Sequence, residues 1–167
     1  MDLVIRVMCR YDEALDRRLC AEHVMMAGSC QQNILIVEDQ EGSRKALCMI
    51  LSSFYRIYTA ETASAALKIL GECSMDLVIM DVGLPDISGM ELLRRVRASG
   101  QAVKVILVTG RGNLESAEEA MRLGAVAYLL KPFNLLEVLA LVQQGVQASA
   151  AELALPLPMI TRTVSPG

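Results

Sequence analysis

Four places in the sequence set a charged or hydroxyl-bearing side chain directly behind a short apolar run. Glu38 and Asp39 follow Ile34-Leu-Ile-Val37, and Asp81 follows Leu77-Val-Ile-Met80. Thr109 follows Val103-Lys-Val-Ile-Leu-Val108, and Lys131-Pro132 follow Ala127-Tyr-Leu-Leu130. If these positions converge, three carboxylates meet in one crevice. Like charges held close together raise one another's pKa, so such a cluster calls for a compensating cation. Hard oxygen donors suit Mg²⁺, which binds through one or two carboxylates together with waters and a substrate phosphate. Lys131 adds a compact positive charge and Thr109 a hydroxyl donor, both suited to the negative charge that develops on a transferred phosphoryl group. Asp81 is then the candidate nucleophile, forming an aspartyl-phosphate.

Convergence depends on the elements that carry these residues. A fifth run, Tyr55-Arg-Ile-Tyr58, completes a set of five strand candidates rich in β-branched residues. Helical patterns lie between and after them, near 43–53, 62–70, 89–99, 114–123 and 135–147. Gly71, Gly100 and Gly124 stand where helices should stop, and Ser88-Gly-Met-Glu91 has the spacing of a capping box. Five strand-then-helix units in a row predict an α/β fold, a doubly wound five-stranded parallel sheet over residues 33–147. The first, third and fourth runs are almost wholly apolar, as strands covered on both faces should be. In such sheets ligands bind beyond the carboxyl ends of the strands where the order reverses. With the order 2-1-3-4-5, the first and third strands are neighbours, and Glu38, Asp39 and Asp81 share a crevice.

Composition narrows the function classes. The net charge of −3 argues against a nucleic-acid-binding surface. The longest apolar runs are six residues, Ala46 to Leu51 and Ala125 to Leu130, far short of the roughly 18 a membrane span needs. The N-terminus carries Asp2 and Arg6 and does not read as a secretory signal. Five cysteines without a CxxC pair, and His23 as the single histidine, exclude a zinc site and predict a cytoplasmic protein. Residues 1–32 read as an N-terminal extension, either disordered or with one helix near Asp12 to Met26, and a later start at Met25 or Met26 fits the sequence. Residues 148–167, with Pro156, Pro158 and Pro166, read as a flexible tail.

Taken together, Asn33-Ile-Leu-Ile-Val-Glu38-Asp39, Leu77-Val-Ile-Met-Asp81-Val-Gly-Leu-Pro-Asp-Ile-Ser-Gly-Met-Glu91, Val108-Thr109-Gly110 and Tyr128-Leu-Leu-Lys131-Pro-Phe133 resemble the receiver domain of bacterial two-component response regulators, here of stand-alone type. The resemblance implies phosphoryl transfer to Asp81 from a sensor histidine kinase or phosphotransfer protein. It implies Mg²⁺ held by Asp39, Asp81 and the backbone carbonyl of Gly83, with Glu38 acting through water. Lys131 would contact the phosphoryl oxygens, Thr109 and Tyr128 would rearrange together, and the Lys131–Pro132 peptide would be cis. Output would pass to a downstream protein target or a self-dimer through the fourth helix, fifth strand and fifth helix.

Other readings fit less well. An Asp-nucleophile phosphatase of the haloacid dehalogenase type wants a second Asp two residues after the first, where this chain has Gly83. Gly110-Arg-Gly112 fails as a dinucleotide fingerprint, because Glu115 occupies the third glycine position. A pseudo-receiver used only for binding would lack at least one of the acidic pair, Asp81, Thr109 and Lys131. The chain is therefore expected not to be a conventional enzyme, although it takes part chemically in its own phosphorylation. On the last helix, Leu135, Val138, Leu139, Val142 and Val146 group on one face, leaving Leu136 and Leu141 on the flanks as candidates for a partner surface.

Overall fold

The computed structural model describes residues 31–147. The N-terminal extension with its alternative readings as disordered or one helix, the later starts at Met25 and Met26, His23 and the tail 148–167 lie outside those residues. Strands β1 (Asn33–Val37), β2 (Arg56–Ala60), β3 (Leu77–Asp81), β4 (Lys104–Thr109) and β5 (Ala127–Leu130) alternate with helices α1 (Glu41–Leu51), α2 (Ala63–Glu72), α3 (Gly89–Ala98), α4 (Leu114–Arg122) and α5 (Leu135–Gln147). All four strand pairings are parallel, in the order β2-β1-β3-β4-β5. The fold and strand order are those the sequence predicts.

Side chains alternate across a strand, and the core divides accordingly. Leu35, Val37, Val78, Met80, Val105 and Leu107 point to the face covered by α2, α3 and α4, against Ala66, Leu92, Leu93 and Ala120. Ile34, Ile36, Leu77, Ile79, Ile106 and Val108 point to the other, against Leu47 and Leu51 of α1 and Val138 and Val142 of α5. Helices cover both faces, which is why the central strands carry no polar alternation. Leu141 is half-buried and packs against the edge of this second cluster. Its flank position on α5 still faces the sheet because helix-covered sheets bury a stripe wider than a strict one-face count allows. Leu136 is 75% exposed. The side chain of Leu135 lies outside the description.

Several boundaries differ from the sequence pattern, each for a local reason. β2 runs to Ala60 because it takes its register from β1, with Asn33 opposite Arg56 and Val37 opposite Ala60; Tyr55 instead donates its N–H to the Leu51 carbonyl at the end of α1. Gly71 does not stop a helix: α2 continues through Glu72, and the break falls at Cys73, in extended conformation. Gly100 (φ +75°) and Gly124 (φ +84°) do adopt the left-handed turn that lets a helix end. Only half of the Ser88–Glu91 box forms: Ser88 Oγ accepts the Glu91 N–H, while the Glu91 carboxylate pairs with Arg94 and Arg95. A full box appears instead at Asn113 and Ser116, opening α4.

Asp86, in the β3–α3 connection, caps α2 from a distance in sequence. Its carboxylate accepts the N–H of Ala63 (2.9 Å), the N–H of Ser64 (2.8 Å) and the Ser64 hydroxyl (2.8 Å). The Ala63 N–H, foremost among these donors, holds the carboxyl well below its ordinary value of 3.8. A depressed carboxyl adds stability that is fully present above its unfolded pKa and is lost as the pH falls below it. Asp86→Ala is expected to cost about 1 kcal/mol at neutral pH, as loss of a helix-capping acceptor does. Urea unfolding of wild type and variant should converge as the pH falls below about 4; a gap that stays constant with pH refutes the assignment.

Candidate functional site

The carboxyl ends of β1, β3, β4 and β5 bring the expected residues together. Glu38 follows β1 directly and continues the ladder, its N–H donating to the Ala60 carbonyl at 3.0 Å. Its side chain lies in the sheet crevice, and the residue is 1% exposed. Asp39, next in the turn, is exposed. Asp81 is the last residue of β3 and 6% exposed. Lys131, just past β5, is fixed by its own N–H donating to the Thr109 carbonyl at 2.8 Å, and the Lys131–Pro132 peptide is cis, as the resemblance implies.

Lys131 spans the two buried acids. Its ammonium donates to Glu38 Oε2 at 2.6 Å and to Asp81 Oδ2 at 2.7 Å. The remaining oxygens have backbone donors: Gln40 N–H to Glu38 Oε1 at 3.2 Å and Gly83 N–H to Asp81 Oδ1 at 2.9 Å. Burial pushes the Glu38 carboxyl up, and it stays above its ordinary value although the Lys131 ammonium pulls the other way. Burial works against the Lys131 charge, but its bonds to Asp81 and Glu38 outweigh that and hold its pKa above the ordinary lysine value.

Glu38, Asp39 and Asp81 offer carboxylate oxygens within 4.8 Å of one another. One ammonium balances three carboxylates incompletely, so negative charge remains in the cluster. The donor set is all hard oxygen, which fits Mg²⁺ and excludes a thiolate or imidazole site among the described residues.

Thr109 ends β4 next to Lys131 and Tyr128 lies on β5, each with its own hydrogen-bond partner. Thr109 Oγ1 accepts the Arg111 N–H at 3.1 Å and donates to the Arg111 carbonyl at 3.0 Å. The half-buried Tyr128 hydroxyl is 3.0 Å from Ser116 Oγ in the first turn of α4. The structure thus gives Thr109 and Tyr128 separate partners. Gly112 packs against both: a Cβ there would lie 2.6 Å from Leu130 Cδ2, 2.9 Å from the Tyr128 oxygen and 3.0 Å from the Thr109 methyl. Gly112, Gly89 and Ser116 are site-supporting residues that the sequence motifs do not reveal as such. Their roles rest on contacts between elements that only the packed fold brings together.

Residues 34–143 match the family model described as response regulator receiver domain. The chain belongs to the response regulator receiver family. It is 33% identical over 108 residues to sporulation initiation phosphotransferase F of Bacillus subtilis, covering 64% of this chain and 87% of that protein. It is 35% identical over 118 residues to transcriptional regulatory protein FixJ of Azorhizobium caulinodans, covering 70% of this chain and 56% of the relative. A CheY-like receiver domain protein from Methanospirillum hungatei superimposes with a TM-score of 0.67 at 30% identity, over 70% of this chain and 94% of the other. The chain spans only part of several relatives, 26% of a probable cyclic di-GMP phosphodiesterase from Vibrio cholerae among them. Receiver domains serve two-component systems, and phosphorylation and Mg²⁺ are general features of the family. Among the described residues, no helix is long and apolar enough to cross a membrane.

Proposed function

We propose that residues 33–147 form a receiver that takes a phosphoryl group on Asp81 from a sensor histidine kinase or phosphotransfer protein and signals by protein binding, in the cytoplasm, without nucleic-acid or membrane contact. The observation that supports it most is the buried Asp81 carboxylate paired with Lys131 Nζ at 2.7 Å, inside a cluster with Glu38 and Asp39. An Asp81 oxygen attacks the phosphorus of a phosphoimidazole; the O–P bond forms as the N–P bond breaks, and the freed imidazole keeps its electron pair and takes up a proton. Asp39, Asp81 and the Gly83 carbonyl would hold Mg²⁺, with Glu38 acting through water, and the ion when bound would offset charge on the phosphoryl oxygens. Lys131 shifts a hydrogen bond from the carboxylate to a phosphoryl oxygen. Thr109 releases Arg111 to donate to another, and Tyr128 follows. The output face is the surface of α4, β5 and α5, where Leu130 and Leu136 are exposed, for a downstream protein or a self-dimer.

The test is incubation with acetyl phosphate and Mg²⁺, borohydride trapping of the acyl phosphate, and peptide mass mapping. One phosphoryl group at Asp81 is expected. No incorporation, or a label on another residue, would overturn the reading.

The lifetime of that phosphoryl group is set by water alignment. The positions two residues beyond Asp81 and Thr109 are Gly83, without a side chain, and Arg111, whose guanidinium donates hydrogen bonds but has no acceptor lone pair to serve as a base. Nothing at either orients an attacking water by general-base contact, so decay is expected to be slow, roughly minutes or longer. A Cβ at Gly83 meets only Asp81 Oδ1, at an ordinary 3.6 Å, and Gly83→Asn, which adds a polar group there, should shorten the lifetime. Decay in seconds for the wild type, or no acceleration in the variant, would refute this.

A further inference from the structure

Arg44 breaks a local rule. It lies close to the N-terminus of α1, where the positive end of the helix dipole disfavours a cation. The same helix start lacks a side-chain cap, since Gln40 makes no capping hydrogen bond. A local rule broken beside a functional site calls for a tertiary reason. The side chain is 14% exposed and lies back over the β1–α1 turn, the direction helical side chains favour. Nη1 donates to the Glu38 carbonyl at 2.7 Å and the Asp39 carbonyl at 3.2 Å, while Nη2 donates to Glu61 Oε1 at 2.7 Å. One planar group therefore fixes the backbone of both acidic residues and ties it to the segment after β2.

We infer that Arg44 is a positioning residue that sets the affinity of the acidic cluster for a divalent cation, an inference that rests on the Mg²⁺ reading above. The guanidinium contacts peptide oxygens of Glu38 and Asp39, leaving their carboxylate oxygens for the site. A bare cation this close would repel a divalent ion. Glu61 pairs with it and cancels much of that field, so the turn is held without weakening the site's pull on metal. Lysine, a point charge without the rigid fork, does not reproduce this arrangement.

The experiment is calorimetric titration of the full chain with MgCl₂. Wild type is expected to bind saturably, and Arg44→Ala about tenfold more weakly, the scale of loss when a group supporting a metal ligand is removed. Arg97→Ala is the control for a merely structural role. Its guanidinium holds the Val103 and Gly124 carbonyls at the opposite end of the sheet, so it should lower the melting temperature and leave Mg²⁺ affinity unchanged. Glu61→Gln keeps the fork in place but uncovers its charge, and should give a smaller loss that fades as salt is added. If Arg44→Ala does not fold, the salt-dependent loss in Glu61→Gln decides. A folded Arg44→Ala with wild-type affinity, a loss matched by Arg97→Ala, or a Glu61→Gln indistinguishable from wild type would overturn the inference alone. Absence of saturable Mg²⁺ binding in the wild type would overturn the metal reading and this inference with it.

Discussion

Asp81→Asn is expected to abolish phosphoryl incorporation from acetyl phosphate or a cognate kinase while leaving the protein folded. The carboxamide has nearly the shape of the carboxylate, so its oxygen can still accept the Gly83 N–H that bonds Asp81 Oδ1 at 2.9 Å. Lys131 keeps its 2.6 Å bond to Glu38, so the ammonium is not stranded. What disappears is the nucleophilic oxygen pair and one of three anionic oxygen donors. The two effects act in the same direction, because an amide is a poor nucleophile and a weaker ligand for a hard cation. Intact-mass spectra and a melting curve check both halves. Incorporation at the wild-type level in Asp81→Asn would remove Asp81 as the acceptor.

The second large effect is on stability. Gly89 is the first residue of α3, and its N–H donates to the Val82 carbonyl at 2.9 Å. A Cβ at this position would lie 2.3 Å from the Asp81 carbonyl oxygen and 3.0 Å from both the Asp81 carbonyl carbon and Val82 Cα. All three are backbone atoms of the strand end that carries the acceptor, so no side chain can swing aside. Helix propensity favours alanine over glycine by about 1 kcal/mol. The overpacking penalty of about 1–3 kcal/mol or more outweighs it, and a rigid backbone contact puts this site at the upper end. Gly89→Ala should lower the melting temperature by about 5 °C or more, since each kcal/mol is worth roughly 3–5 °C for a domain between the 100- and 150-residue size classes. Displacing the Asp81 backbone should also slow phosphorylation in whatever protein remains folded. Calorimetry on wild type, Gly89→Ala and Gly71→Ala separates the contact from propensity, because a Cβ at Gly71 meets nothing within 4 Å. A Gly89→Ala variant as stable as the Gly71→Ala one would refute the packing account.

The sequence by itself determined the five strand–helix units, the two-sided burial of β1, β3 and β4, and the placing of the candidate site residues at the strand ends. These are legible because burial imposes a periodicity on neighbouring residues, and because parallel topology puts functional side chains at one predictable end of each strand. Glu38, Asp81, Thr109 and Lys131 could be picked out on that ground before any contact was known. Tertiary structure alone decided how those groups pair. Lys131 reaches Glu38 across 93 positions of chain and Asp81 across 50, and no local pattern states which oxygen it takes. The same holds for the residues that support the site. Arg44 reads locally as a helix-start misfit, Gly89 as part of a capping box, Ser116 as a polar residue of α4, and Leu141 as an outward flank. Each gains its role only from a neighbouring element that folding sets against it: the Glu38 and Asp39 carbonyls, the Asp81 backbone, the Tyr128 hydroxyl and the second core cluster. Periodicity reports which side of an element is buried, whereas hydrogen bonds and van der Waals contacts depend on distances of tenths of an ångström between elements, which only the packed structure sets.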